Sequence, residues 1–432
     1  MPALNTSRNA SVPLLSPASL FINTRAARRA QATAACFFLL CSTLCICQPP
    51  TRSVLCQDGN ANFSATFRTG VAVHIGATHR GDGTTLATRS CAANLTWEKG
   101  ELAVAADASQ VDLDAFGADL GDGVPVAAFQ IKKTDADCCM EYRIYSLEKP
   151  PRLLRTIQGG EFFSASDMDL DGSIEIWTHD AAAVDGFEKL SLSKLSAPTV
   201  VFRWAHGQLR DASAEFQPYF DREIAKTRAE IPLRDLENFK NSDGKLASSP
   251  PPESADELHR LRMAKIKVLE IVWAYLYSGR DQEAWRSLAE MWPREDTHRI
   301  RVALMNAREM GAHGQADVTS AGPMREKRKH AHIFDAVSRS ETTHKLEVVP
   351  PQAILLERPP VPESQQGTPE TDVLLDLVID AAGKVRSVEL SGKGKVASPA
   401  WIESALTWKF IPALKGDRPV ASRLRIAVSP KQ

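Results

Sequence analysis

The stretch WKFIPALKGDRPVASRLRIAV, residues 408–428, contains the end of a helix, a turn and a strand. Residues 399–409 have helical spacing, and Pro412 ends the predicted helix because proline cannot continue one. Gly416 and Asp417 then favour a turn. From residue 420 to residue 428 apolar and polar side chains alternate, which predicts a half-buried strand.

Two more alternating runs precede this stretch, at residues 373–379 and 384–390. The turn DAAG, residues 380–383, separates them, so they are expected to form a hairpin. Together with the helix and the last strand, they predict a ββαβ domain over residues 371–430. Its sheet would have three antiparallel strands with the helix on one face.

The chain before this domain is predicted to be β-rich at first and helical afterwards. Residues 55–210 contain short runs with β-branched and aromatic residues between Gly-Asp, Asp-Gly and Pro-Pro turns. Residues 211–311 have helical periodicity, with a Ser/Pro linker at 248–254. Residues 312–370 form a polar and Pro-rich linker. The fold class is therefore multidomain α+β: a β-rich N-terminal domain, a helical bundle and the C-terminal ββαβ domain.

The N-terminal part indicates export. Arginines precede an apolar run at residues 30–47, and Gln-Pro-Pro follows. This layout is typical of a secretory signal, so residues 1–48 are a signal peptide or an uncleaved membrane anchor. Either alternative places the rest of the chain in the periplasm, with 30–47 as a candidate inner-membrane tether. The 432 residues carry 52 basic and 53 acidic side chains, a balance that gives no support to a nucleic-acid partner.

Four of the eight cysteines lie beyond the apolar run: Cys56, Cys91, Cys138 and Cys139. In an oxidising compartment they allow three pairings. Adjacent cysteines seldom pair, because the ring that they close is strained. We therefore expect a Cys56–Cys91 disulfide, with free buried thiols as the alternative.

The most chemically suggestive motif is DMDLDGSIE, residues 167–175. Asp167, Asp169 and Asp171 alternate before a Gly turn, and Glu175 follows. Carboxylates in this arrangement can converge on calcium, which prefers oxygen ligands. The run resembles the Asp-rich calcium loops of FG-GAP-type repeats, a resemblance that extends over residues 110–180. An acidic hairpin turn without metal is the alternative, and calcium is the only cofactor that the sequence suggests.

Signatures of common enzyme classes are absent from the sequence. It has no GxSxG, HExxH, Walker A or GxGxxG motif. No acid, base and nucleophile stand in a recognisable set, so we expect a protein that is not an enzyme.

The C-terminal residues carry a second resemblance, over about residues 350–430. The order of turn glycine, Trp-x-Phe-x-Pro-Ala and Gly-x-Pro-Val is similar to that of the C-terminal domain of the TonB energy-transducer family. The matching structural positions are Gly383, Trp408, Phe410, Pro412, Gly416 and Pro419.

This resemblance implies a periplasmic domain of a Gram-negative bacterium that binds an outer-membrane receptor or another envelope protein. Family members add an extended partner segment to a sheet edge. The last strand is the expected edge, with Leu424, Arg425, Ile426 and Val428 as candidate partner-binding residues. The run at 30–47 lacks the histidine of family transducers, which favours docking over energy transduction. The leading hypothesis is thus an exported interaction protein linked to outer-membrane transport; the alternatives are a genuine transducer and a calcium-dependent binding protein acting through the β-rich domain.

Overall fold

Among the described residues the architecture is mixed, with one large β-sheet, seven α-helices and three small sheets. In this computed structural model the described residues belong to one compact unit, Pro50–Gln432. They are residues 54–57, 59, 61–80, 88–134, 138–190, 195–246, 255–319, 331–336, 348–359, 373–391 and 399–428. The expected signal or anchor at residues 1–48 and the linker at 248–254 lie outside them.

The large sheet has twelve strands and is almost entirely an antiparallel meander. Its strands are β1 (Leu55–Gln57), β2 (Asn62–Thr66), β3 (Ala72–Arg80), β4 (Thr88–Trp97), β5 (Gly100–Asp119), β6 (Pro125–Lys133), β7 (Met140–Ser146), β8 (Leu153–Ser166), β9 (Glu175–Asp180), β10 (Thr199–Ala205), β11 (Gln208–Asp211) and β12 (Val318–Thr319). Each strand from β2 to β11 pairs with the next along the chain, and β12 joins β11 in parallel. The β-rich region is thus confirmed as a single continuous sheet.

Strand β5 is twenty residues long and divides its pairing between partners. Residues up to Ala108 pair with β4, and residues from Ala108 onward pair with β6. Strand β1 pairs with residues 110–112, beyond the point where β4 ends. Register shifts, one of them around Gly117 at φ 82°, bend this strand. Two hydrophobic cores lie on opposite faces of β6, because its neighbouring residues alternate between them: Ala127 and Phe129 belong to the smaller core, and Val126 and Ala128 belong to the larger one.

The helices cover the second half of the sheet. They are α1 (Ala181–Val184), α2 (Gln217–Ala229), α3 (Leu233–Lys240), α4 (Ala255–Tyr277), α5 (Asp281–Met291) and α6 (Thr297–Met310). The longest, α4, buries side chains on most of its surface, because it lies between the sheet and the other helices. One hydrophobic core therefore joins the helical region to β8–β11. In the described part of the chain, no helix has the length and hydropathy that crossing a membrane requires.

A buried lysine on α4 organises the polar contacts of this region. Lys265 is 1% exposed, and its Nζ lies 2.9 Å from a carboxylate oxygen of Glu188. Arg299 also donates to Glu188. Burial alone would raise the pKa of Glu188, but the hydrogen bonds from Arg299 and Lys265 hold it below its ordinary value. Glu188 is therefore charged at neutral pH, because it is half-buried beside two cations.

The C-terminal region contains the predicted hairpin, helix and last strand. Its elements are β13 (Phe334–Asp335), β14 (Gln352–Leu355), β15 (Val373–Ile379), β16 (Val385–Leu390), α7 (Pro399–Leu406), β17 (Lys409–Ile411), β18 (Ala413–Lys415), β19 (Arg418–Val420) and β20 (Ser422–Val428). Strands β16, β15 and β20 are antiparallel, as predicted. A fourth strand, β13, adds to β20 in parallel, so the sheet order is β13–β20–β15–β16.

The predicted helix at 399–409 ends earlier than the sequence suggested. Helix α7 stops at Leu406, and Lys409–Ile411 forms β17, which pairs with β14. A residue before proline disfavours helical backbone, and Ile411 precedes Pro412. The region 312–370, expected to be a linker, supplies three strands within its described residues: β12, β13 and β14.

The structure contains two disulfides in the described residues. Cys56 bonds to Cys91 with Cα atoms 5.9 Å apart, as predicted. Cys138 bonds to Cys139, contrary to the expectation that neighbours would not pair. The backbone of Cys139 has φ 76°, a conformation available at a tight turn, and it brings the two neighbouring side chains together.

Candidate functional site

The Asp-rich loop connects β8 to β9 and is built around Asp167. One carboxylate oxygen of Asp167 accepts the N–H of Asp171 at 2.9 Å, and the other accepts the N–H of Gly172 at 2.8 Å. Leu170 and Gly172 have φ values of 54° and 86°, so the turn needs left-handed backbone at both. The side chain of Asp167 thus holds the loop closed from inside.

Three carboxylates of this loop converge. One oxygen from each of Asp167, Asp169 and Glu175 lies within 4.8 Å of the others. Asp167 and Glu175 are fully buried, whereas Asp169 is exposed. The strand geometry explains the convergence, because Asp167 follows the last residue of β8 and Glu175 begins β9 beside it. Within the described residues, this is the one group of acidic, histidine or cysteine side chains arranged to hold a metal ion.

Asp171 was also a candidate ligand, but it does not join this group. Its Oδ1 accepts the N–H of Ser173 at 2.8 Å, an Asx turn that shapes the end of the loop. A shorter acidic turn, DLGDG at residues 119–123, which we call the echo loop, is closed as well. Asp119 accepts the N–H groups of Gly121 and Gly123, both at 2.9 Å.

The buried carboxylates are electrostatically costly. Burial raises the pKa of Asp167 to about 7, and the neighbouring Asp380 and Asp171 add to the effect. Burial likewise raises the pKa of Glu175 to about 8, although Arg203 opposes the shift. Without a cation, a large fraction of these carboxyls therefore keeps its proton at neutral pH.

Arg203 donates to only one of the two carboxylate oxygens of Glu175. Its Nη2 donates to Oε1 of Glu175 at 2.6 Å, and its Nη1 donates to both carboxylate oxygens of Glu215. Oε2 of Glu175 is buried and has no hydrogen-bond partner among the described residues. A buried carboxylate oxygen without a hydrogen-bond partner favours a ligand at this position.

The donor set fits calcium. Calcium takes six to eight oxygen ligands in flexible geometry, and three carboxylates whose oxygens lie within 4.8 Å of one another can supply part of that set. Magnesium demands near-ideal octahedral geometry and keeps several of its waters, so a set of protein carboxylates suits it less. The exposed Asp169 leaves room for water ligands.

The C-terminal hairpin turn lies directly against this loop. The N–H of Asp167 donates to Oδ2 of Asp380 at 3.1 Å, and Asp380 is fully buried. Oδ1 of Asp380 accepts the N–H groups of Ala382 and Lys384, both at 2.9 Å. Burial raises the pKa of Asp380, although Arg386 and Lys384 oppose the shift. One carboxylate thus connects two turns that are 213 residues apart.

Further contacts attach the C-terminal region to the large sheet. Nζ of Lys409 contacts Asp112 at 2.8 Å, and Lys384 forms an ion pair with the buried Asp114. Nη2 of Arg386 lies 2.8 Å from the sulfur of Met168 in the Asp-rich loop. Sequence reasoning did not find these contacts. Sequence reasoning also missed Arg203, although it is a charged residue in the otherwise apolar strand β10, TVVFRWA.

The residues matching the TonB-like pattern have structural positions in the C-terminal region. Trp408 is fully buried, and its Nε1 donates to the carbonyl of Glu357 at 2.6 Å. Phe410 lies in the same core and donates its N–H to the carbonyl of Gly383, whose φ is 84°. The remaining three form the turns: Pro412 between β17 and β18, Gly416 at φ 52°, and Pro419 paired with Leu414.

The candidate partner-binding residues lie on β20. Leu424, Arg425, Ile426 and Val428 pair with β15 on one side. On the other side, β13 pairs with Ser422 and Arg423 only, so the edge from Leu424 to Val428 has no strand partner in the described part of the chain. Arg425 also forms an ion pair with Asp376, with Nε 2.6 Å from the carboxylate.

Comparisons with known proteins leave both resemblances as sequence arguments. No family model, no curated protein and no solved structure matches this chain.

Proposed function

We propose that this chain is an exported, calcium-binding protein of the cell envelope of a Gram-negative bacterium, with no enzymatic activity. The observation that carries the proposal is the convergence of Asp167, Asp169 and Glu175, with Oε2 of Glu175 buried and lacking a protein partner. Export rests on the N-terminal signal pattern, which places the protein in the periplasm or tethers it to the inner membrane through residues 30–47.

Asp167, Asp169 and Glu175 would hold the ion. A bound cation supplies positive charge, which replaces the protons that burial otherwise keeps on Asp167 and Glu175. Arg203 orients Glu175, and the N–H groups of Asp171 and Gly172 orient Asp167. Because Asp380 contacts the same loop, the ion stabilises the attachment of the C-terminal region to the large sheet.

Isothermal calorimetry with calcium and with magnesium tests this proposal. Calcium should bind the wild-type chain more tightly than magnesium. Asp169→Asn removes one ligand from an exposed position and should weaken calcium binding at least tenfold. Asp119→Asn is the matched control, since it changes the closed echo loop and should leave the affinity unchanged. Equal calcium uptake by wild-type protein and an Asp167→Asn/Asp169→Asn double variant would disprove the proposal.

A second candidate function is docking by strand addition, as the TonB-like resemblance implies. The observation that favours it is the edge of β20 from Leu424 to Val428, where β13 covers only the first two residues of the strand. An extended segment of an outer-membrane receptor could pair there through backbone groups. The Arg425 side chain is on this strand and is half exposed.

In-cell photo-crosslinking distinguishes docking from internal packing. A crosslinker replacing Arg425 should capture an outer-membrane receptor, while one replacing Arg386, which faces the Asp-rich loop, should capture only the chain itself. Adducts from position 425 that contain only peptides of this protein would rule out the docking function.

A further inference from the structure

A cavity next to the Cys138–Cys139 disulfide is lined by an unusual set of sulfur-bearing side chains. It has a volume of about 330 Å³, and its lining includes Cys138, Cys139, Met140 and Met310. The two cysteines directly precede β7, Met140 begins it, and Met310 is the last residue of α6. A disulfide and two methionines from two separate parts of the chain therefore line one cavity.

The walls of this cavity are held in place. Gln158 on β8 donates its N–H to the side chain of Gln315 at 2.9 Å, and Gln315 donates back to the carbonyl of Gln158 at 2.7 Å. This pair fixes the turn after α6 against the sheet. Met310 is 83% exposed, which makes its thioether accessible from solvent.

The remaining polar groups of the lining favour an anionic sulfur site. Lys133 lies at the wall and forms an ion pair with Glu141, whose other oxygen accepts from Arg143 at 2.6 Å. The carboxylate is thus occupied by two cations. A nearby lysine stabilises thiolates, which are the nucleophilic and metal-binding form of cysteine. Among the described residues that line the cavity, none is a histidine.

We propose that this cavity is a redox-gated site for a soft monovalent cation, Cu(I), which binds when the Cys138–Cys139 disulfide is reduced. Thiolate and thioether sulfur select Cu(I) over hard cations, and two cysteines with two methionines provide a complete four-sulfur set. In the oxidised state the two cysteine sulfurs are bonded to each other and cannot act as thiolate ligands. The site is separate from the carboxylate site, which suits a hard cation.

The gating reaction is thiol–disulfide exchange with a small thiol. One thiolate attacks one Sγ of the pair, forms a mixed disulfide and releases the other Sγ as a thiolate. A second small thiol then attacks the small-thiol sulfur of the mixed disulfide. This attack releases the remaining protein thiolate, and the two small thiols leave joined as their own disulfide. Two electrons and two protons pass from the small thiols to Cys138 and Cys139. Binding of Cu(I) displaces both protons into solvent.

Mass spectrometry after thiol labelling tests the gate. The full chain is used with Cys36, Cys41, Cys45 and Cys47 changed to serine, so that they contribute no thiols. The Cys138–Cys139 peptide should be unlabelled in the oxidised protein and take two labels after mild dithiothreitol treatment. Cys56–Cys91 is fully buried and is the internal control that should stay unlabelled. If the Cys138–Cys139 peptide is already labelled before reduction, the proposed redox gating is refuted.

Competition for Cu(I) with a chromogenic chelator under anaerobic conditions tests the site. The same protein, reduced and freed of dithiothreitol, should bind one Cu(I), and the oxidised protein should bind at least a hundredfold more weakly. Met310→Leu conserves size and removes one ligand, so it should weaken binding about tenfold. Met305→Leu, at an exposed methionine elsewhere on α6, is the matched control and should have no effect. Equal affinity of oxidised and reduced protein, or no effect of Met310→Leu, refutes the proposal.

Discussion

The attachment of the C-terminal hairpin to the Asp-rich loop gives the sharpest prediction. The carboxylate of Asp380 is fully buried and accepts three backbone N–H groups, from Asp167, Ala382 and Lys384. Asp380→Ala leaves all three donors without an acceptor. Each unsatisfied buried donor costs about 1–3 kcal/mol, and removal of a carboxylate with a raised pKa returns part of that. The net loss of stability is about 3–6 kcal/mol.

Two substitutions calibrate this value. Asp380→Asn keeps one oxygen for Ala382 and Lys384 but places an amide group opposite the N–H of Asp167, so it should cost about 1–3 kcal/mol. Asp376→Asn removes an exposed ion pair with Arg425 and should cost less than about 1 kcal/mol. The expected order of destabilisation therefore depends on the number of buried donors and not on the loss of charge.

Hydrogen exchange followed by mass spectrometry is the suitable assay, because it reads the hairpin separately from the rest of the chain. A loss of about 3–6 kcal/mol corresponds to about a hundredfold to ten-thousandfold faster exchange in peptides from residues 375–390. Peptides from α4 report on the helical core and should change less. If Asp380→Ala and Asp376→Asn gave the same exchange rates, the carboxylate would not be the connection described here.

Three further predictions concern stability elsewhere in the chain. The pKa of Glu188 is lowered in the folded protein, so its contribution to stability is present above the unfolded pKa and is lost as pH falls through the folded pKa. Glu188→Gln should therefore lower the melting temperature at pH 7, and by progressively less as pH falls below the unfolded pKa, measured by differential scanning fluorimetry. Gly383→Ala places a Cβ against the carbonyl oxygen of Phe410 at a positive φ and should cost about 2–4 kcal/mol, whereas alanine at the open Gly207 tests the φ effect alone in the same urea titration. Replacing both Cys56 and Cys91 by serine should cost about 2–5 kcal/mol in thermal unfolding, and an unchanged melting temperature would contradict that disulfide's role.

Local sequence patterns were sufficient to predict most of the helices and strands. The alternation at 373–379 and 420–428 predicted two strands of the C-terminal sheet, because a period of two places one face on a core. The step of three and four residues after residue 258 predicted α4 in the same way. The acidic triad was recognisable because its members lie within nine residues of one another, on adjacent strands joined by a short turn.

The features that the sequence could not predict depend on contacts between residues far apart in the chain. Asp380 is recognisable as a turn residue, but its contact with Asp167 requires the packing of two separate regions. Asp171 looks equivalent to Asp169 in the motif, and only the direction of the loop backbone separates their roles. Lys409–Ile411 continues a helical pattern, yet it becomes a strand because β14 offers it a partner. In each case tertiary contact outweighed local preference.

The bonds between the large sheet and the C-terminal region also determine when the protein can finish folding. They join residues separated by 213, 270 and 297 positions along the chain. Contacts of such long range close slowly, because loop entropy must be lost before they form. During synthesis, Asp112, Asp114 and Asp167 therefore lack these partners until the C-terminal region has been made.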